Sequence, residues 1–257
     1  MITEVKEGYV KSEFHQGITT IEFFHPQGNS LPAKLLDELS HAIHGAGNDD
    51  PTKVIILRSA GEKAFCGGAS FDELRSIRNK EEGLQFFSGF AHVINAMRTC
   101  PKFIIGRIHG KCVGGGVGIA AAVDYAIALE SVEVKLSELA IGIGPFVVGP
   151  AIERKIGLSA FSQLSIDASM WRSGDWARRK GLFAELHENE EAMDESIHRL
   201  TSNLVHVSPE AMAEMKKIFW KGTEHWDKFL IERAAISGKL VLSDFTKAAI
   251  EKFKTKK

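Results

Sequence analysis

The stretch GKCVGGGVGIAAAVD (Gly110–Asp124) sets three consecutive glycines against an apolar run that carries no catalytic side chain. It follows the β-branched stretch Phe103–Ile108, so it reads as a strand, a turn, and glycines opening a helix. The first amides of a helix have no partner within it and point outward with the positive end of the dipole, where they can hold an oxyanion. Glycine also lets another atom come close to that backbone. The plainer alternative is that small residues only permit tight helix packing. A dinucleotide fingerprint is excluded, because the G-x-G-x-x-G spacing and the downstream acid are missing, and a phosphate loop lacks its terminal Lys-Ser/Thr.

Outward from this stretch, strands and helices take turns, which points to an α/β fold. Gly8–Phe24 alternates around His15-Gln16-Gly17 and reads as a hairpin. From Pro32, the spacing of Leu35, Leu36, Leu39 and Ile43 is helical, and Lys53–Leu57 reads as a buried strand. A helix over Glu81–Arg98 and a strand over Tyr125–Leu129 continue the pattern. After Ala184 the sequence turns to consecutive amphipathic helices with Ser or Thr starts and no strands. The expected organisation is therefore a core over 1–184 and an all-helical region over 185–257. The apolar faces of those helices, with Phe219, Trp220, Trp226, Phe229 and Leu230, need cover from the parent domain or a second subunit; a homo-oligomer is expected.

Composition limits the function classes. Thirty-two basic and 33 acidic residues in 257 give a formal net charge of −1, which provides no overall field for nucleic acid or an anionic membrane. No apolar run approaches a membrane span, and the start MITEVKEGYVKSEF lacks the layout of a secretory signal. The three cysteines, Cys66, Cys100 and Cys112, are widely spaced, without the pairing of a zinc site or a disulfide framework. No metal is expected, the thiols read as reduced packing residues, and a cytoplasmic location follows.

Two further segments give the glycines a purpose. GEKAFCGGASFDEL (Gly61–Leu74) is a second Gly-rich turn running from a strand into a helix. Two such turns on one sheet can aim two amides at one atom, an oxyanion hole in which each donor commonly contributes about 2.7–4 kcal/mol. In VEVKLSELAIGIGPF (Val132–Phe146), Glu138 is the one carboxylate in the otherwise apolar stretch Leu136–Val148. Desolvation there would raise its pKa toward the range of a general acid or base. His92 and His109 flank these segments and read as structural, as do Cys66 and Cys112.

Together with HPQGNSL near the start and GLSAFSQLSIDASMWRSGDWARRKGLFAEL, these segments resemble the crotonase, or enoyl-CoA hydratase/isomerase, superfamily over nearly the whole chain. The resemblance implies a crotonase-type spiral of ββα units with a C-terminal helical trimerisation region, as a homotrimer or a dimer of trimers. It implies an acyl-CoA thioester substrate, with CoA part of the substrate and no separate cofactor. The oxyanion-hole amides fall on Ala69 and Gly115, with Gly68, Gly114 and Phe146 beside the substrate and Glu138 as general acid/base. Phe86, Phe87, Phe90 and Val147 are expected along the acyl tail.

The chain also departs from the family pattern. Two-glutamate hydratases carry their other acid where this chain has Gly118, and related dehalogenases carry a nucleophilic Asp near Phe146. Ser70 replaces an Asp common after the first oxyanion residue. One carboxylate suffices to move a double bond from position 3 to position 2, whereas hydration divides its proton transfers between two. Expectation therefore falls on an enoyl-CoA isomerase, with a hydratase as the alternative and a non-catalytic acyl-CoA-binding relative as the alternative from another class.

Overall fold

The computed structural model describes residues 7–254. The polar start over residues 1–6 and the end of the basic tail, residues 255–257, lie outside them. The chain opens with the hairpin β1 (Tyr9–His15) and β2 (Ile18–Phe24), turned by Gln16 and Gly17 at positive φ. Next come β3 (Ser30–Leu31), α1 (Ala33–Asn48), β4 (Val54–Ser59), β5 (Ala64–Cys66), β6 (Gly68–Ala69), α2 (Phe71–Ser76) and α3 (Lys80–Thr99). The middle of the chain forms β7 (Phe103–Ile108), β8 (Lys111–Val113), α4 (Gly115–Ala122), β9 (Tyr125–Leu129) and β10 (Glu133–Lys135). After a short 3-10 turn follow α5 (Gly149–Ile166), β11 (Arg172–Ser173), α6 (Gly174–Arg179) and β12 (Glu185–His187). Four helices end the chain: α7 (Glu190–Leu204), α8 (Pro209–Phe219), α9 (Trp226–Leu240) and α10 (Asp244–Lys254).

The main sheet runs β1-β2-β4-β7-β9-β12, antiparallel only at the β1–β2 edge. Its central strands are largely buried on both faces, which is why Val54–Leu57 reads as a continuous apolar run; in β7 the run is broken by Arg107, which pairs with Glu190 and Asp194 on α7. A second sheet runs β11-β10-β8-β5, with β10, β8 and β5 mutually parallel. A third, of two strands, pairs β3 with β6.

One expectation needs correction. The region after Ala184 is not strand-free: β12 pairs parallel with β9, Glu185 opposite Ile127, so the main sheet continues past the expected 184/185 boundary. Three residues show no usable alternation, and the pairing is formed with a strand far away in sequence.

The C-terminal helices cover the chain's own core to a greater degree than their exposed-looking aromatics suggested. Trp220, Trp226 and Leu230 are buried within the chain, while Phe219 stays 46% exposed. Helix α9 crosses α3 so closely that a Cβ on Gly83 would stand 2.7 Å from the Gly238 Cα. Arg98 on α3 also pairs with Asp227 on α9 at 2.7 Å. On α8, the buried Lys216 ammonium meets Asp124 at 2.8 Å and donates to the Lys102 carbonyl at 2.7 Å. Asp124 follows α4 directly, and its carboxylate also accepts from the Ile104 amide at 2.8 Å. Among the described residues, no helix is long and apolar enough to cross a membrane.

Removing one member of that buried ion pair strands the other. Lys216→Met should lower stability by about 3–5 kcal/mol, measured by urea denaturation. A loss below about 1 kcal/mol would class the pair with weak surface bridges.

Candidate active site

The three segments singled out in the sequence leave the same ends of three adjacent parallel strands. β5 leads into Gly67–Ala69, β8 into Gly114–Gly115, and β10 into Ser137-Glu138. Because β8 lies between β5 and β10, the glycine triplet stands between the other turn and the glutamate.

The two turns touch. A Cβ on Gly68, at φ +83°, would come within 2.7 Å of the Val113 carbonyl and 3.3 Å of the Gly115 amide nitrogen. The Ser70 amide donates to Leu31 on β3 at 3.1 Å. Gly114 adopts φ +53°, donates to the Lys135 carbonyl at 2.9 Å, and accepts from Val117 at 2.9 Å and Gly118 at 3.3 Å. Gly115 opens α4, where a helix leaves its first amides unpaired internally. The bare glycines are required by their surroundings: Gly115 lies against the Phe90 ring, Gly116 against the Cys66 carbonyl, and a Cβ on Gly114 would stand 2.8 Å from Glu138 Oε1.

Glu138 is aimed at this corner. Its backbone is helical, its carbonyl accepts from Ile141 and Ile143 at 3.2 and 3.0 Å, and the chain then reverses at Gly142, φ +79°. Helix α10 presses on that reversal: a Cβ on Gly142 would meet Phe245 at 2.5 Å and the Thr246 hydroxyl at 2.6 Å. The Glu138 Oε2 is buried without a hydrogen-bond partner, and burial pushes the carboxyl from 4.5 up to about 7.

Ala69, Gly68, Gly114, Gly115, Glu138 and Phe146 all line one cavity, so the expected site residues come together. Of the residues expected along the acyl tail, Phe87, Phe90 and Val147 line it too. Phe86 does not; it packs edge-on against Phe87 with ring centroids 5.3 Å apart. Nor do His92, exposed on α3, and His109. His109 is buried beside the Gly61 backbone and away from the cavity, as a structural residue would be, and burial lowers its pKa. Cys66 is a packing residue, its thiol pushed up to about 12 by burial. Ser70, in place of an acid, accepts from the Glu73 amide at 3.5 Å and caps α2.

Val148 is the residue the sequence reading missed. It lines the cavity, and a Cβ on Gly118 would stand 2.5 Å from the Val148 Cβ. The space a longer side chain at 118 needs is thus filled by a valine thirty residues away. A lone apolar residue in an apolar run carries no signal of that contact.

The enoyl-CoA hydratase/isomerase family profile matches residues 13–255. The chain belongs to the enoyl-CoA hydratase/isomerase family. It is an acyl-CoA-processing enzyme of the crotonase type. Among relatives, a probable enoyl-CoA hydratase of Bacillus subtilis is 26% identical over 244 residues, 94% of each chain. The mitochondrial methylglutaconyl-CoA hydratase of Mus musculus is 30% identical over 217 residues, 82% of this chain and 68% of the other. The crystal structure of an enoyl-CoA hydratase from Bacillus halodurans superposes with a TM-score of 0.87 over 95% of this chain and 99% of its own, at 24% identity. The crotonase-type α/β fold expected from the sequence is therefore correct.

The raised pKa of Glu138 has a cost in stability. The stability its protonated form provides is fully present below about pH 4.5 and is lost as pH rises through about 7. Glu138→Gln cannot ionise, so it should match the native protein at pH 4 and exceed it by on the order of 2–3 kcal/mol at pH 8, measured by urea denaturation. Equal stability at both pH values would mean that the carboxyl is solvated.

Proposed function

We propose that the protein is a 3,2-enoyl-CoA isomerase that uses a single carboxylate. The observation that carries this reading is that Glu138 is the only ionisable side chain lining the cavity among the described residues, while Val148 occupies the room beside Gly118. The thioester carbonyl is held by the amides of Ala69 and Gly115, and the negative charge that develops on its oxygen is stabilised there. Glu138 takes a proton from C2. The electron pair moves into the C2–C3 bond as the C3–C4 double bond shifts through a dienolate, and Glu138 returns the proton at C4. No atom is gained or lost, and no cofactor is needed beyond the CoA of the substrate.

Hydration of a 2-enoyl-CoA is the second reading, favoured by the three similar proteins described above, which are hydratases. It requires a water positioned and deprotonated beside C3, and Gly118 has no side chain for that. A cytoplasmic location and a trimer or dimer of trimers belong to the same proposal. Exposed apolar side chains on α8 and α9, Ile218, Phe219 and Ile236, offer a surface for self-association.

Glu138→Gln should lower 3-enoyl-CoA turnover by about 10²–10⁴-fold while leaving the affinity for a saturated acyl-CoA within a few-fold. In the native enzyme kcat/KM should rise with pH through about 7 and level off above it, because the base acts ionised. Retained turnover in the glutamine variant, or a flat profile from pH 5 to 8, would place the base elsewhere.

A further inference from the structure

Two cavities share one wall at Phe146. The inner one, between the oxyanion turns and Glu138, encloses about 60 Å³. A single water needs about 10–15 Å³ by such a measure, and ordinary small-molecule pockets run to 300–1,000 Å³. The inner cavity therefore takes a thioester carbonyl and the few carbons next to it. The outer one is a groove of about 800 Å³ between the Glu138 loop, α5 and α9. Its floor includes Leu139, Leu158 and Ile166, which are 51%, 65% and 75% exposed.

Gly144, Pro145 and Phe146 line both spaces. The Phe146 amide donates to the Gly144 carbonyl at 2.8 Å, a tight reversal that folds the ring back over Gly144. A Cβ at Gly144 would stand 2.5 Å from the Phe146 Cζ, so this glycine is what lets the ring lie across the boundary. Of the charged residues of the groove, Arg154 donates to the Phe219 carbonyl at 3.1 Å, Arg233 lies 4.7 Å over the Phe229 ring on the groove's own wall, and Glu153 stands on α5. What the groove offers next to the shared wall is hydrocarbon.

We propose that Phe146 determines the acyl-chain length the site accepts, its ring closing the reacting cavity against an outer groove that fits the aliphatic tail of a longer acyl-CoA. The occupant is the tail because the groove begins at the wall of the reacting cavity and is apolar where the two meet. This rests on the reading of the cavity as an acyl-CoA site, but not on which reaction occurs there. The native protein is thus a short-chain enzyme, and shortening residue 146 joins the two spaces.

The test is calorimetric binding of hexanoyl-CoA and dodecanoyl-CoA, both saturated and unreactive, to the full chain. The native protein should bind the two within about threefold of each other, because methylenes left in water contribute nothing. Phe146→Ala should raise the ratio of dodecanoyl-CoA to hexanoyl-CoA affinity at least about tenfold over the native protein, whatever the loss of the ring costs both esters alike. Leu158→Glu, at an exposed position of the groove, should abolish that gain in the Phe146→Ala background. Should the alanine variant not fold, Phe146→Leu should shift the ratio in the same direction. A native preference for dodecanoyl-CoA of tenfold or more, or an unchanged ratio in the variants, overturns the proposal. So does a loss of oligomeric mass in Leu158→Glu with both affinities unchanged, which would assign the groove to a second copy of the chain. If the native protein binds neither ester, the acyl-CoA reading falls, and this proposal with it.

Discussion

A single backbone hydrogen bond, from the Gly114 amide to the Lys135 carbonyl, fixes where the Glu138 carboxylate lies relative to the glycine turn that opens α4. It extends the parallel pairing of β8 with β10 by one residue, up to the point where both chains leave the sheet. On the other side of β8, β5 sends the Gly67–Ala69 turn to the same end. Elements more than seventy residues apart in the chain thereby converge without any side chain linking them. The geometry is held by main chain, which is why the segments that form it can be so poor in side chains.

That arrangement imposes a conflict on Glu138. Gly114 has no side chain, so the carboxylate can lie close to the helix opening, but the same packing strips its Oε2 of water and partners. A solvated carboxylate would be more stable and a weaker base. The loop is held in this position from behind, where α10 packs on Gly142, and the Lys216–Asp124 pair ties α8 to the end of α4. The C-terminal helices therefore support the site as well as covering apolar surface. Ser237 of α9 forms part of the cavity wall itself.

Much of this was legible in the sequence, for physical reasons. The long elements announced themselves by period: the β1–β2 alternation, the apolar run of β4 and the helical spacing of α1 depend on local burial patterns. The glycines of the site were visible because the absence of a side chain is itself a residue type, and Glu138 because one charge stood in an apolar stretch. The strands β5, β8, β10 and β12, of three residues each, were not legible, since so short a segment has no period and exists only through its partners. Val148 was hidden for the same kind of reason. Its role lies in touching Gly118 across the fold, and nothing in FVVGP distinguishes that valine from any other core residue. The shared wall at Phe146 is likewise a relation between two spaces that only the folded chain creates.

The central claim is that one carboxylate between two backbone donors carries the chemistry. Incubating the native protein in parallel with 3-hexenoyl-CoA and crotonyl-CoA tests it most directly, following 2-enoyl and 3-hydroxyacyl products by chromatography. The account predicts rapid conversion of 3-hexenoyl-CoA to 2-hexenoyl-CoA, with hydration of crotonyl-CoA slower by at least about 10²-fold, the scale on which one positioned acid or base contributes. Hydration of crotonyl-CoA at a comparable or greater rate would contradict it.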